Sequence, residues 1–221
     1  MTTLSREALL KALQLAVKHA DLVAASSNWA QGKAYELKVL AHIVSVLDSK
    51  HVYTLRCAPK VATQLTFGGG PCKPDASKHD FITVQDGMKH HELWISVQFT
   101  TLSYRIGGST APPRCSDLHE LDIGLYEGPL GSSYPSYEKV VFAASCKAGT
   151  WHKMQAREAL GLRRELGFLS LSEEVPSLAQ WFEPKVPTDP ASPLALYSRD
   201  INSVKYAGSL SSLGLYVKHY P

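Results

Sequence analysis

Apolar residues recur at three- and four-residue spacing across Ser5–Ala25, where Leu9, Leu10, Leu13, Ala16, Val17 and Ala20 share one side, so the pattern predicts an amphipathic packing helix. The cluster Ser26-Ser-Asn28 supplies capping side chains, and a second helix is predicted from about Trp29 to Asp48 with Leu37, Leu40, Ile43, Val44 and Leu47 inward. Glu36 lies near that stripe rather than opposite it, where an ionised carboxylate is costly unless something pairs with it. The period then changes. His51–Arg56 is strand-like, and Phe81–Gln85 and Glu92–Leu102 are predicted as a hairpin turning through Asp86-Gly87.

Two further strands follow. In His119–Tyr126, Leu121, Ile123 and Leu125 take one face while Glu120 and Asp122 take the other. Lys139–Gly149 opens with the apolar run Val140–Ala144; alternation puts Val141, Ala143, Ser145 and Lys147 on one face, so an ammonium group ends an otherwise apolar strand. Such a lysine needs a negative partner, and Asp122 is the expected one. Ile106–Cys115 and Glu127–Tyr137 read as loops, and Trp151–Gly167 as a helix closed by glycine with Ala156, Ala159, Leu160, Leu162 and Leu166 inward. Leu194–Arg199 is a further strand, Ser203–Leu213 a short last helix, and the proline-rich Glu183–Pro193 a surface connection.

At 221 residues the chain accommodates one α/β domain over 1–221, with the helix of 5–25 packed on a core of about 29–200. A net charge of +3 permits a polyanionic partner without demanding one. No stretch approaches a membrane span and the N-terminus lacks a signal peptide's order, so no membrane contact and a cytoplasmic setting are expected. Cys57, Cys72, Cys115 and Cys146 are widely spaced without a C-x-x-C pair, which favours reduced thiols over disulfides or structural zinc. The glycine loop Thr66–Cys72 is not followed by Gly-Lys-Ser/Thr, so it is no P-loop, and neither Gly-x-Ser-x-Gly nor His-Glu-x-x-His occurs.

An acidic residue on one strand, a second strand ending in x-x-Lys and a glutamate on an upstream helix together resemble the PD-(D/E)XK nuclease superfamily. The matching pieces are Glu36 in Gly32-Lys-Ala-Tyr-Glu-Leu-Lys-Val-Leu40, Asp122 in Glu120–Ile123, and Ser145-Cys-Lys147. The resemblance spans roughly Gly32 to Leu166 and departs from the family at Ser145, where Glu, Asp or Gln is usual. It implies a restriction-endonuclease-like αβββαβ core, a mixed sheet flanked by helices. It further implies a Mg²⁺- or Mn²⁺-dependent nuclease acting on nucleic acid, DNA ahead of RNA. Asp122, Lys147 and Glu36 would be catalytic, and the metal would be held by Asp122, the Cys146 backbone carbonyl and Glu36.

With Ser145 the metal shell loses a charge, which Glu120 or Glu158 could replace. Lys153, Arg157 and Arg164, with Gln155 beside them, form a basic helix side expected to border the same cleft and contact nucleic acid; the competing reading is a solvated face paired with Glu158 and Glu165. Many relatives are symmetric dimers, which leaves a homodimer open. The rival reading is a nuclease-like fold that has lost catalysis and only binds nucleic acid or protein.

Overall fold

The computed structural model describes residues 4–23, 27–50, 53–59, 64–108, 110–169, 188–190 and 192–221. Most of the expected Glu183–Pro193 connection lies outside them. Helix α1 (Arg6–Val23) packs along α2 (Asn28–Ser49), and Ser27 caps α2 by accepting the Ala30 N–H through its side chain. Leu9 and Leu13 of α1 and Tyr35, Val39, Leu40, Ile43, Val44 and Leu47 of α2 are buried together against the sheet. Each such aliphatic side chain contributes roughly 1.5–3 kcal/mol by leaving water.

The strands are β1 (Tyr53–Arg56), β2 (Ile82–Asp86), β3 (Lys89–Thr100), β4 (Leu118–Glu127), β5 (Val140–Lys147), β6 (Phe168–Leu169), β7 (Thr188–Asp189), β8 (Leu194–Ser198) and β9 (Leu215–His219). β6 and β7 pair only with each other; the rest form a seven-stranded mixed sheet in the order β1-β2-β3-β4-β5-β8-β9. Neighbours from β1 to β5 are antiparallel, while β5, β8 and β9 run parallel. The parallel step from β5 to β8 requires a crossover, and α4 (Lys153–Leu166) supplies it on the face opposite α1 and α2. Short helices α3 (Leu102–Ile106) and α5 (Ala207–Ser211) complete the fold.

Most predicted elements are present, and the hairpin turns at Gly87 with φ +56. At the C-terminal end the expected Ser203–Leu213 helix is instead a 3-10 turn (Ile201–Tyr206) running into α5, and the sheet continues past residue 200 into β9.

The sheet has one face on α1 and α2 and the other on α4, and its central strands change faces part-way. Leu93, Ile95, Ile123 and Leu125 pack with α2, whereas Val97, Phe99 and Leu121 pack with α4. The pairing of β3 with β4 matches Ile95 to Ile123 and Val97 to Leu121. Between those pairs Ser96, fully buried, has φ +56, which reverses the alternation of side chains. This overturns the expectation that Leu121, Ile123 and Leu125 share a face. A second irregularity, at Leu125/Tyr126 against β5, likewise separates Val141 on the α2 side from Ala143 on the α4 side.

Local packing supports the switch. Cys72 bridges Val97 in parallel: the Ser96 carbonyl accepts the Cys72 N–H at 3.0 Å, and the Gln98 N–H donates to the Cys72 carbonyl at 2.9 Å. The Tyr126 ring lies over Gly124, only 2.5 Å from where a Cβ would stand, and its hydroxyl donates to the Val97 carbonyl at 3.2 Å. Glycine is required at 124 by that close approach.

Candidate functional site

The face switch places polar side chains in the middle of the sheet. Asp122 follows Leu121 on β4, beyond the last ladder pair of β4 with β5, Ile123 with Ala144. Its Oδ2 accepts the Cys146 N–H at 2.6 Å and the Ser145 hydroxyl at 3.3 Å. A side chain thus caps backbone that the splayed strands leave unpaired. The N–H and C=O of one residue leave an extended strand on the same edge, so the Cys146 carbonyl also faces the β4 side.

Glu36 comes from α2 on the other side of this gap. It is buried, and its Oε2 accepts a hydrogen bond from Lys33 Nζ at 2.8 Å; the same ammonium lies 2.8 Å from Ser96 Oγ. Burial pushes the Glu36 carboxyl up to about 7, the negative charges of Asp122 and Glu120 add to the rise, and Lys33 opposes it. Glu120 and Asp122 are also raised, in both cases first by burial. For Glu120 the Lys33 charge and a Ser96 hydrogen bond pull the other way; for Asp122 the Cys146 N–H does so most, followed by the charges of Lys147 and Lys33. Three carboxylates therefore share one electrostatic environment with two lysines.

Lys147 departs from expectation. Its ammonium pairs with Glu158 of α4 at 2.7 Å instead of with Asp122, which feels it only as a nearby charge. A lysine stem spans the distance from the strand end to the next helix, and Glu158, the more exposed partner, reaches back to it. Glu158, one of the two residues expected to offset the absence of an acid at position 145, thus stands on Lys147.

On α4, Lys153, Arg157 and Arg164 are exposed and, among the described residues, form no ion pair. The two glutamates that a simple solvated face would pair with them are engaged elsewhere, Glu158 with Lys147 and Glu165 with the Ser103 N–H at 2.9 Å. Gln155 instead accepts the His152 N–H at 2.9 Å in a capping box, so its carboxamide oxygen serves the helix terminus. Arg163, beside the stripe, is buried and donates to the Ser192 carbonyl. Elsewhere a mainly apolar cavity of about 260 Å³ is lined by Leu102, Ile106, Leu160, Phe168 and Leu213 along with Arg164 and Glu165, and Glu36, Glu120 and Asp122 are not among its residues.

Lys33 and Ser96 are the site residues that the sequence did not single out. Ser96 carries its strained backbone at the centre of the cluster, at a cost of roughly 1–3 kcal/mol, and its hydroxyl meets the one ammonium that contacts Glu36 among the described residues. The contact does not make Ser96 a nucleophile, because the serine is inaccessible and Lys33 is ion-paired.

The donor chemistry fits a hard divalent cation: Asp122, Glu120 and Glu36 offer carboxylate oxygens and Cys146 a carbonyl, with proton affinities raised in all three carboxylates. In the present arrangement no three His, Cys, Asp or Glu side chains among the described residues stand close enough to hold an ion. Lys33 occupies Glu36, and the Cys146 N–H and Ser145 hydroxyl occupy one oxygen of Asp122. Among the described residues no helix is long and apolar enough to cross a membrane, and all four cysteines are unpaired. Compared with protein-family models, curated proteins and solved structures, the chain matches none.

Proposed function

We propose that this chain is a divalent-metal-dependent nuclease with a restriction-endonuclease-like core, hydrolysing phosphodiester bonds of nucleic acid, DNA ahead of RNA, in the cytoplasm. The observation that carries the reading is the placement of Asp122 at the opening between β4 and β5, bonded to the backbone of the Ser145-Cys-Lys147 segment, with buried Glu36 of α2 close enough for the charge of Asp122 to raise the proton affinity of Glu36. The order of elements supports it: α2 precedes the antiparallel β3, β4 and β5, and α4 leads to the parallel β8.

Asp122, Glu36, Glu120 and the Cys146 carbonyl would hold Mg²⁺ or Mn²⁺, which when bound supplies charge relief at the phosphate and lowers the pKa of a water. The chain's own residues do the rest. Lys147 offers an ammonium at the strand end to steady negative charge developing on the phosphate, and Glu158 orients that ammonium. Lys153, Arg157 and Arg164 would neutralise backbone phosphates along the α4 side. A homodimer on duplex DNA belongs to the same proposal.

One observation favours the rival of a fold that binds without cleaving: Lys33 already satisfies Glu36. Incubating the protein with duplex and single-stranded DNA and RNA in Mg²⁺, Mn²⁺ or EDTA separates the two. Metal-dependent cleavage is expected; binding with no cleavage in any metal supports the rival.

A further inference from the structure

We propose that Lys33 is the resident counter-cation of the Glu36, Glu120 and Asp122 group, and that a divalent ion binds there by displacing this ammonium from Glu36. The lysine then sets how tightly the ion is held, an inference that rests on the divalent-ion reading of the same site.

Lys33 Nζ lies 2.8 Å from Glu36 Oε2 and 2.8 Å from Ser96 Oγ, so two of its three N–H donors are committed inside the cluster. It sits three residues before Glu36 on α2, the spacing at which helix side chains meet, so the helix presents ammonium and carboxylate together. Lys147 is not a substitute, because it is held on Glu158. The strained backbone of Ser96 aims the hydroxyl that receives Lys33, so the fold maintains this contact at a cost.

An ammonium and a divalent ion cannot both contact the same carboxylate oxygen without strong mutual repulsion in a partly dry site. Lys33 can yield, however: its side chain is 22% exposed and ends a flexible four-carbon stem, so it can swing to water while Glu36 turns to the metal. The lysine would keep buried Glu36 and the partly buried Glu120 and Asp122 tolerable without metal and make metal binding an exchange of cations rather than a filling of bare charge.

The test is Mn²⁺ affinity by titration calorimetry on the full chain as wild type, Lys33→Gln and Lys33→Arg. Glutamine keeps a polar group for Ser96 but removes the competing charge, and should tighten Mn²⁺ binding about tenfold or more. Arginine keeps the charge and should stay within about threefold of wild type. If wild type binds Mn²⁺ and Lys33→Gln binds it no tighter, Lys33 is not the competing cation, while the nuclease reading stands. If neither protein binds Mn²⁺, both fall. Should Lys33→Gln be unfolded in EDTA, refolding by Mn²⁺ supports the exchange, and failure to refold at saturating Mn²⁺ overturns it.

Discussion

Ser96 of β3 lies between the pairs Ile95–Ile123 and Val97–Leu121, and so does Asp122 of β4; at these two residues the strands pass their side chains from the α2 face to the α4 face. A serine held at φ +56 and a carboxylate bonded to the neighbouring strand's backbone thus mark one place, where the ladder opens and polar groups enter an otherwise apolar sheet. Strain of this kind concentrates at working sites.

Ser96→Ala should destabilise the protein by about 1–3 kcal/mol, because it leaves Lys33 short of an acceptor while the unfavourable backbone stays as it is. Ser96→Gly loses the same hydroxyl but relieves roughly 1 kcal/mol of left-handed strain, so it should be the milder change. Urea denaturation ranks them; an alanine variant as stable as the glycine variant would mean that the positive φ carries no penalty.

Glu36 makes stability depend on pH in a direction opposite to that of an ordinary salt-bridged acid. Its carboxyl is raised from 4.5 to about 7, so between those values the folded state keeps a proton that the unfolded state has released. Stability should therefore fall as pH rises through that window, by about 3 kcal/mol at most. Glu36→Gln should flatten the slope. Thermal or urea melts from pH 4 to 8 read it directly, and a slope unchanged in Glu36→Gln would assign the effect to another group.

Lys147→Ala and Arg157→Ala should fail in different ways. The first should lower turnover about 100-fold or more with nucleic-acid affinity nearly retained. The second should weaken binding and reduce the salt dependence of affinity by about one unit of log–log slope while single-turnover cleavage persists. Filter binding across a salt series beside cleavage kinetics distinguishes them, and the reverse assignment would place the basic helix face, not Lys147, at the chemistry.

Much of this arrangement was legible in the chain. Helical spacing locates α1, α2 and α4, Asp86-Gly87 locates the hairpin, and the position of Glu36 near an apolar stripe leaves open a carboxylate that needs a partner or a surface one; it is buried and paired with Lys33. The face switch was not legible, because nothing distinguishes a serine at φ +56 inside an alternating run from one in regular extended backbone, and every side assigned by alternation beyond it inverts. Lys33 is hidden for a related reason: a lysine three residues before a glutamate on a helix ordinarily reads as a solvated pair. The partner of Lys147 is not legible either, because strand alternation points to the cross-strand Asp122 and says nothing of the reach of a lysine stem to α4.

Ser145→Glu places an acid two residues before Lys147, where the proposed nuclease family usually has one. Ser145 is buried against Asp122, so a second carboxylate there should destabilise the metal-free protein and tighten Mn²⁺ binding about tenfold. Melting temperature in EDTA and in Mn²⁺ gives both readings at once; a variant destabilised equally in the two conditions would put no metal beside position 145.

The most direct measurement is cleavage of a labelled DNA duplex and single strand by wild type and Asp122→Asn, with Mg²⁺ or Mn²⁺ and with EDTA. Asparagine can still accept the Cys146 N–H, so the variant should fold normally. The expected result is cleavage by wild type that requires the divalent ion and is lost in Asp122→Asn. Equal cleavage by the two proteins, or a wild type that neither binds a divalent ion nor cuts any DNA or RNA, would contradict the assignment of this carboxylate cluster as a nuclease site.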